Sequence, residues 1–248
     1  MDMKYGIISD IHSNLEALNI VLDYLKRREK IDRFICCGDI VGYGAKPNEC
    51  TEIIRQLDNC YTVAGNHDWG TIGLEDTSFF NPIALAAVEW TGRHLTKDNR
   101  NYLEKLASQI EQSNFLLVHG SPRDPINEYI FEERTFLANL PRIKKNICFV
   151  GHTHVPLCFY AKTPQDIEGI PLDDGTVLEI NPSYKYLINC GSVGQPRDGD
   201  PRASCGIYDA DTNILRIKRI DYDVAKTQEE ILSAKLPTPL AVRLGYGR

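Results

Sequence analysis

The sequence predicts an α/β fold with two sheets and flanking helices. Over about the first 150 residues, short apolar runs bounded by turn residues alternate with segments of helical periodicity. Beyond about residue 155, short β-rich runs separated by turn signals follow one another, which is typical of an antiparallel sheet. No internal repeat, low-complexity tract or long linker interrupts the 248 residues. We therefore expect a single domain over residues 1–248.

The first part of the chain predicts five strands and four helices. Leu15, Leu18, Val21, Leu22 and Leu25 recur at the spacing of an amphipathic helix. A second helix begins at Pro47, whose fixed φ suits a first turn, and runs to about Leu57. The periodicity predicts two more helices, Asn81–Leu95 and Arg100–Leu106. The apolar runs predict strands at Lys4–Ser9, Arg33–Cys37, Tyr61–Ala64, Asn114–Val118 and Ile147–Val150.

The second part of the chain predicts five short strands and one helix. The strands are Leu157–Ala161, Thr176–Ile180, Lys185–Asn189, Cys205–Asp209 and Ile214–Arg219. Turn sequences such as Asp173-Asp174-Gly175 separate them. A last helix is predicted over Val224–Ala234, and the prolines that follow it at 237 and 239 cannot continue it.

Composition and charge exclude several classes of protein. The chain is 42% hydrophobic and 25% charged, as globular enzymes are, which excludes a disordered or fibrous chain. Its net charge of −6 disfavours nucleic acid as a partner, because an acidic surface repels phosphate backbones. No apolar run is long enough for a transmembrane helix, so no membrane partner is expected. The N-terminus resembles no signal peptide, and the eight cysteines contain no CxxC pair. We expect a cytoplasmic protein with reduced, buried thiols.

Five short motifs follow predicted strands. They are Ser9-Asp10-Ile11-His12, Gly38-Asp39, Gly65-Asn66-His67-Asp68, Val118-His119-Gly120 and Gly151-His152-Thr153-His154. In open α/β sheets, ligand sites gather beyond the carboxyl ends of the strands. The motifs include five of the six histidines in the chain; only His94 lies elsewhere. The sequence therefore predicts one polar site built from five loops.

Each motif also has an ordinary structural interpretation. Asp10 fits a helix N-cap, and the segments around Asp39 and Asn66 fit turns. His119 alone indicates nothing specific, whereas two histidines flanking one residue at 152 and 154 suit metal ligation. The joint occurrence of all five at strand ends favours a common site over five unrelated structural roles.

The residue types point to metal-dependent phosphoryl chemistry. Carboxylate, imidazole and amide oxygen without thiolate suit Mn, Fe, Co, Ni or Zn. An Asp can bridge two ions, and two ions about 3.5–4 Å apart can hold a hydroxide and clamp a phosphoryl group. The spare imidazole of His67 can help the leaving group, and Asp68 can orient that imidazole or raise its pKa.

The ordered motif set resembles the calcineurin-like metallophosphoesterase superfamily. Its five blocks span residues 9 to 154, and Asn189–Arg197 is similar to a further block of small bacterial members, which include diadenosine tetraphosphatase-like proteins. Gly42-Tyr43-Gly44 and Pro47–Cys50 are also typical of that subgroup. The resemblance implies a four-layer α-β-β-α sandwich with two mixed sheets.

The resemblance also implies site residues and an activity. One divalent metal would take Asp10, His12, Asp39 and His154, and a second would take Asp39, Asn66, His119 and His152, with Asp39 bridging. His67 would be the general acid or transition-state stabiliser. Two divalent ions (Mn, Fe, Ni, Co or Zn, with Mn favoured) would be the cofactors. The expected enzyme is a metal-dependent phosphoric ester hydrolase, in which a metal-bridging hydroxide attacks a small phosphodiester, phosphomonoester or dinucleoside polyphosphate.

Further interpretations stay open. Arg197 is a candidate for pairing with a substrate phosphate, or a surface arginine paired with Asp198 or Asp200. Arg123 is a weaker candidate, and Tyr43 either lines the mouth of the site or packs against its own loop. A nuclease and a catalytically silent protein-interaction scaffold are the alternative functions. The sequence leaves the substrate, the native metal, the oligomeric state and the protein partners open.

Overall fold

The computed structural model describes residues 3–248, which form twelve strands and eight α-helices. The strands are β1 (Lys4–Ile8), β2 (Phe34–Cys36), β3 (Cys60–Thr62), β4 (Gln109–Glu111), β5 (Phe115–Val118), β6 (Ile147–Val150), β7 (Leu157–Ala161), β8 (Glu168–Pro171), β9 (Val177–Glu179), β10 (Lys185–Asn189), β11 (Ala203–Asp209) and β12 (Ile214–Ile220). The helices are α1 (Leu15–Asp23), α2 (Pro47–Arg55), α3 (Asn66–Ile72), α4 (Pro82–His94), α5 (Lys97–Glu104), α6 (Glu133–Asn139), α7 (Val224–Ser233) and α8 (Thr238–Leu244). A π-helical turn at Tyr24–Arg28 continues α1, and a 3-10 turn at Leu140–Arg142 follows α6.

The strands form two mixed sheets of six strands each. The first has the order β3-β2-β1-β11-β12-β9, and the second has the order β4-β5-β6-β10-β7-β8. In the first sheet β1, β2 and β3 run parallel, whereas β11 pairs antiparallel with β1. In the second sheet β5, β6 and β10 run parallel. The carboxyl ends of three parallel strands in each sheet therefore lie at a common edge.

Side chains that alternate along the strands pack against the other sheet on one face and against helices on the other. Ile7 and Ile35 face the second sheet, where they share a buried cluster with Phe115 and Phe149. Their neighbour Ile8 points the other way, toward α1 and α2. Because successive side chains of a strand point to opposite faces, strands buried on both faces need apolar residues at every position.

Helices cover the outer face of each sheet. Leu18, Val21 and Leu22 of α1 pack on the first sheet, and Phe136 of α6 packs on the second. The Asn14 side chain caps α1 by accepting a hydrogen bond from Ala17 N at 3.1 Å, which satisfies one free N–H of the first turn. The layers run helix, sheet, sheet, helix, so the predicted four-layer α/β sandwich with two mixed sheets is confirmed.

The arrangement of the later strands differs from the single antiparallel sheet expected after residue 155. Strands β7, β8 and β10 join the second sheet, whereas β9, β11 and β12 join the first. Strand β10 pairs antiparallel with β7 but parallel with β6. Short strands with turn signals predict antiparallel neighbours, but they do not indicate which sheet each neighbour belongs to.

Two further expectations concern membranes and thiols. Within residues 3–248, no helix combines the length and apolar character that crossing a membrane requires. All eight cysteines are free thiols; seven are buried and Cys60 is half-buried. Burial raises the pKa of thiols such as Cys148 and Cys190, which keeps them protonated and unreactive, as predicted.

Candidate metal centre

The five motifs meet where the parallel strands of both sheets end. His119, which follows β5 of the second sheet, contacts the Cys37 carbonyl oxygen at the end of β2 in the first sheet, at 2.7 Å. His152, which follows β6, donates its backbone N–H to Asp10 Oδ1 at 3.0 Å. The two sheets are thus joined through the motif loops themselves, and all the motif side chains named above are buried at this junction.

Four side chains form a first group of donor atoms. One oxygen or nitrogen from each lies within 4.8 Å of the others, in Asp10, His12, Asp39 and His154. His154 Nε2 lies 3.4 Å from Asp10 Oδ1, and His12 Nε2 lies 3.5 Å from Asp39 Oδ2. Such a set of two carboxylates and two imidazoles could hold a divalent cation.

A second group shares Asp39 with the first. Donor atoms of Asp39, His119 and His152 again lie within 4.8 Å of one another. His119 Nε2 lies 3.4 Å from Asp39 Oδ2 and 3.0 Å from Asn66 Oδ1. The structure therefore brings all seven of the sequence-predicted ligand candidates together, with Asp39 between the two groups.

The outer nitrogen of each of these four histidine rings contacts a main-chain carbonyl oxygen. His12 Nδ1 lies 3.1 Å from Val41 O, and His154 Nδ1 lies 2.6 Å from Gln195 O. His152 Nε2 lies 3.1 Å from Asn127 O, and His119 has the Cys37 contact described above. A carbonyl only accepts, so in a neutral ring the outer nitrogen carries the proton and the inner nitrogen presents a lone pair. This is the tautomer that binds a cation.

Left-handed backbone is concentrated at the site. Seven of the eleven non-glycine residues with positive φ in the described chain lie here: Asp10, His12, Ser13, Asp39, Tyr43, His152 and His154. For a residue with a Cβ this conformation is strained by about 1–2 kcal/mol. Five of the seven are donors of the two groups, so the strain coincides with the positions that supply donor atoms.

Burial and charge set the protonation of the donors. Burial lowers the pKa values of His12, His152 and His154 well below 6.5, so these rings are neutral. Burial also acts to lower the pKa of His119, but the adjacent Asp39 carboxylate raises it to about 9. Burial opposes ionisation of Asp39, but His119 and His67 lower its pKa well below 3.8. Asp39 is therefore an anion at the centre of the site.

His67 lies beside the donors without joining either group. Its ring packs 4.3 Å from the Tyr43 ring and 4.9 Å from the His12 ring, between centroids. Its Nδ1 is buried with no hydrogen-bond partner in the described chain. Burial lowers the pKa of His67 to about 4, although Asp39 acts to raise it. The expectation that Asp68 orients this ring is wrong, because the Asp68 carboxylate accepts the backbone N–H groups of Val41 and Gly65, each at 3.0 Å.

Arg197 lies at the site, and neither of the carboxylates expected as its surface partners pairs with it. Its Nη2 donates to Gln195 Oε1 at 2.9 Å and lies 3.4 Å from the Tyr43 hydroxyl. Asp198 pairs with Arg219, and Asp200 pairs with Arg202. Tyr43 is buried against His12 and His67, so it lines the site as well as packing in its loop. Arg123, in contrast, is engaged by Glu128.

A cleft of about 420 Å³ opens from the second donor group. Asn66, His67 and His152 form its inner end. Aromatic rings and carboxylates form its rim, contributed by Phe79, Phe80, Tyr129, Glu75, Asp76 and Asp124. The Tyr129 ring stacks on the His152 ring with centroids 3.7 Å apart, so the wall of the cleft is continuous with the donors.

Comparison with known proteins assigns the chain to a family. Residues 3–213 match the calcineurin-like phosphoesterase superfamily domain. The chain belongs to the calcineurin-like phosphoesterase superfamily. Its buried Asp and His cluster is where a phosphoesterase of this superfamily would hold divalent metal ions.

Relatives of this phosphoesterase extend over its whole length. It is 41% identical over 248 residues to the uncharacterized protein MJ0912 of Methanocaldococcus jannaschii, covering 98% of each chain. The crystal structure of a metallophosphoesterase from Sphaerobacter thermophilus is 42% identical and superposes with a TM-score of 0.89 over 100% of both chains. A hypothetical protein, PH1004, from Pyrococcus horikoshii shares the fold, with a TM-score of 0.81 and 21% identity over 99% and 98% of the two chains.

Sequence reasoning missed several residues that shape this phosphoesterase site. Tyr129 and Asn127 lie in a loop with no motif, yet the first stacks on His152 and the second supplies its carbonyl. Arg243, near the C-terminus, also reaches the site, with its guanidinium carbon 6.0 Å from the Tyr43 ring centroid. For Arg243 the sequence holds a signal only for its helix, which Pro239 begins at a first-turn position, and none for its place at the site.

Proposed function

We propose that this chain hydrolyses small phosphoesters with the help of two divalent ions, Mn²⁺ being the favoured species. One ion would be held by Asp10, His12, Asp39 and His154, and the other by Asp39, Asn66, His119 and His152. The observation that carries the proposal is the sharing of Asp39 by the two donor groups. A carboxylate with imidazoles on either side can bridge two ions, and two ions can together clamp a phosphoryl group.

The donor geometry fits cations better than it fits a metal-free core. The inner ring nitrogens of His12 and His154, two rings that burial keeps neutral, approach each other at 3.1 Å. Asp10 Oδ2 is buried without a hydrogen-bond partner. Bound ions would satisfy these atoms, and would supply Lewis acidity toward phosphoryl oxygens and an activated water at neutral pH.

His67 is the residue that we propose acts on the phosphoester itself. It lies at the inner end of the cleft, outside both donor groups, and its imidazole makes no side-chain hydrogen bond in the described chain. A neutral imidazole still carries one N–H, which can donate to a phosphoryl oxygen or to the departing alkoxide. The low pKa of about 4 supports the role of hydrogen-bond donor over that of a resting imidazolium.

The cleft indicates where the organic group of the substrate would lie. Phe79 is 90% exposed and Tyr129 is 47% exposed at its rim, so part of each ring is free to contact an apolar or planar group. Glu75, Asp76 and Asp124 place negative charge there as well. Carboxylates in that position and a net charge of −6 repel a polynucleotide backbone, which disfavours the nuclease alternative.

The test is a substrate panel on protein that has been stripped of metal and reloaded with Mn²⁺. It should contain bis(p-nitrophenyl) phosphate, p-nitrophenyl phosphate, a phosphopeptide and a diadenosine polyphosphate. We expect metal-dependent turnover of at least one of them. His67→Ala should lower kcat about 10²–10³-fold, as loss of one hydrogen-bond donor to the reacting group does, while the bound Mn²⁺ remains.

His94→Ala is the matched control, because His94 is the one histidine outside the motifs and is exposed. It should behave as the wild-type protein does. Absence of turnover with every metal, despite bound Mn²⁺, would favour the scaffold alternative. Equal activity of His67→Ala and the wild-type protein would remove His67 from the mechanism.

A further inference from the structure

The two C-terminal helices cover the loop that carries Tyr43. Ile231 of α7 and Leu240, Ala241 and Leu244 of α8 share a buried cluster with Tyr43 and with residues of α4. Gln228 Nε2 donates to Ala241 O at 2.9 Å, which fixes α8 against α7. The segment beyond the last sheet strand therefore forms one wall of the site.

Arg243, in the last turn of α8, brings a second guanidinium to Tyr43. Its guanidinium carbon lies 6.0 Å from the Tyr43 ring centroid, and that of Arg197 lies 5.7 Å from the same centroid. The Tyr43 ring is in turn 4.3 Å from the His67 ring. Two positive groups thus flank a residue that touches the proposed catalytic histidine.

Neither guanidinium has an Asp or Glu carboxylate within 4.0 Å anywhere in residues 3–248. The carboxylates next to Arg197 in sequence, Asp198 and Asp200, are taken by Arg219 and Arg202. Arg197 Nε is buried without an acceptor, and its Nη2 has only the neutral oxygens of Gln195 and Tyr43. Arg243 donates from Nε to a main-chain oxygen of Arg248, the last residue of the sequence.

The two charges also act on each other. Burial lowers the pKa of Arg243, and the neighbouring Arg197 guanidinium lowers it further. Like charges without an Asp or Glu side chain beside them are unfavourable in a partly buried place. An anion that bound beside them would supply negative charge to both and an acceptor to Arg197 Nε, which has none.

The C-terminal tail fixes the position of the pair. Gly199 N, two residues after Arg197, donates to Gly247 O at 2.9 Å. Gly247 has a φ of +62°, and a Cβ there would lie 2.6 Å from the Asp200 carbonyl carbon, so only glycine allows this close contact. The loop of Arg197 and the tail after Arg243 are therefore held against each other.

We propose that Arg197 and Arg243 form a subsite for a second phosphate group, joined to the phosphate that reacts. This inference rests on the proposed function for the position of the reacting phosphate. The substrate would then be an organic diphosphate or polyphosphate, bound with its extra phosphate on the arginine side and its organic group in the cleft. The carboxylates of the cleft rim favour this orientation, because they would repel a phosphate group that lay in the cleft.

Calorimetric titration of the Mn²⁺-loaded protein with pyrophosphate and with orthophosphate tests the proposal without turnover of an ester. Wild-type protein should bind pyrophosphate more tightly than orthophosphate. Arg243→Gln should weaken pyrophosphate binding about tenfold and leave orthophosphate binding within twofold, because a charge-assisted pair is lost. Arg248→Gln removes the same charge from the exposed end of the tail and should change neither affinity.

Arg243→Lys keeps the charge but loses the planar fork, so it should weaken pyrophosphate binding by about threefold. This variant also decides the question if Arg243→Gln does not fold. Equal affinities for the two anions in the wild-type protein, or equal losses for both anions in either variant, would overturn the proposal. If the Arg243 variants hydrolyse simple diesters and bind pyrophosphate as the wild-type protein does, this inference is overturned and the proposed function stands. Selective pyrophosphate binding without any turnover would instead contradict the proposed function alone.

Discussion

The Nε2 atoms of His12 and His154 lie 3.1 Å apart in the interior of the protein. Both rings turn their Nδ1 atoms to main-chain carbonyl oxygens, so in the neutral tautomers both Nε2 atoms carry lone pairs. Two facing lone pairs at this distance repel each other unless a cation lies near them. A cation bound near this pair should therefore stabilise the fold as well as take part in the chemistry.

We expect Mn²⁺ to stabilise the wild-type protein against thermal unfolding and His154→Ala to lose most of that effect. A ligand present at about 100 times its Kd adds about 2.7 kcal/mol to the free energy of unfolding. Differential scanning calorimetry with and without Mn²⁺, together with metal analysis of dialysed protein, measures both quantities. His94→Ala should keep the full stabilisation; a His154→Ala protein that also kept it would contradict the assignment of His154 as a ligand.

Gly65 gives a prediction about how the donors are positioned. A Cβ at this residue would collide with Asp39 Oδ1 and lie 2.5 Å from Asp39 N. Gly65→Ala should therefore displace Asp39, destabilise the protein by about 1–3 kcal/mol, and reduce Mn²⁺ content. Urea unfolding and metal analysis of the purified variant test this.

Gly245→Ala is the control for that experiment, because its Cβ would meet nothing closer than 3.4 Å. It should unfold within about 0.5 kcal/mol of the wild-type protein and retain its metal. If Gly65→Ala bound Mn²⁺ as well as Gly245→Ala does, the position of Asp39 would not depend on the close approach of the Gly65 backbone.

The convergence of the motif loops was predictable because it depends on strand polarity. Asp10, Asp39 and His119 follow parallel strands, and parallel strands end at one edge whatever the details of the packing. The start of α3 at Asn66 was missed, since Gly65–Asp68 also fits a turn. Asp68 distinguishes the two by capping α3 at Gly65 N and by accepting a tertiary hydrogen bond from Val41 N.

The missed elements lack a clear periodic signal. Strand β4 is polar and β8 contains Pro171, which suits an edge strand with no partner on one side. Helices α6 and α8 have seven residues each, too short for periodicity to be evident. Arg243 could not be placed at the site from sequence, because the contact with Tyr43 joins segments 200 residues apart through the packing of α7 and α8.

An ion pair far from the site gives a prediction for pH dependence. Arg216 of β12 contacts Glu29 Oε2 at 2.5 Å, next to the end of the π-helical turn. The hydrogen bond from Arg216 lowers the pKa of Glu29 below its ordinary value of 4.5. Because the folded-state pKa is depressed, the pair stabilises the fold fully above pH 4.5 and loses this contribution as the pH falls through the lowered value.

Arg216→Gln should therefore lower the free energy of unfolding by about 0.5–1 kcal/mol at pH 7 and by less at pH 3. Urea unfolding at the two pH values measures the difference. Arg27→Gln is the control, since the pair between Arg27 and Asp23 has side chains 80% and 46% exposed and should contribute little at either pH. A loss in Arg216→Gln that did not depend on pH would indicate lost packing instead of lost charge.

The last prediction concerns Phe79 at the rim of the cleft. Phe79 is 90% exposed, so its ring stabilises the fold very little, yet it borders the space beside the donors. If the organic group of the substrate lies there, Phe79→Ala should raise the KM for an aromatic ester about five- to tenfold, as lost stacking of a ring on an aromatic side chain predicts. Its Tm should stay within about 1 °C of the wild-type value, because little buried area is lost.

Kinetics with bis(p-nitrophenyl) phosphate and with methyl p-nitrophenyl phosphate compare esters with two and one aromatic groups. Leu232→Ala is the control: it truncates an exposed apolar side chain of α7, a different element from the one that carries Phe79, and should leave both KM values unchanged. Equal rises for both esters would still place an aromatic leaving group against Phe79, whereas unchanged values for both would place the organic group elsewhere.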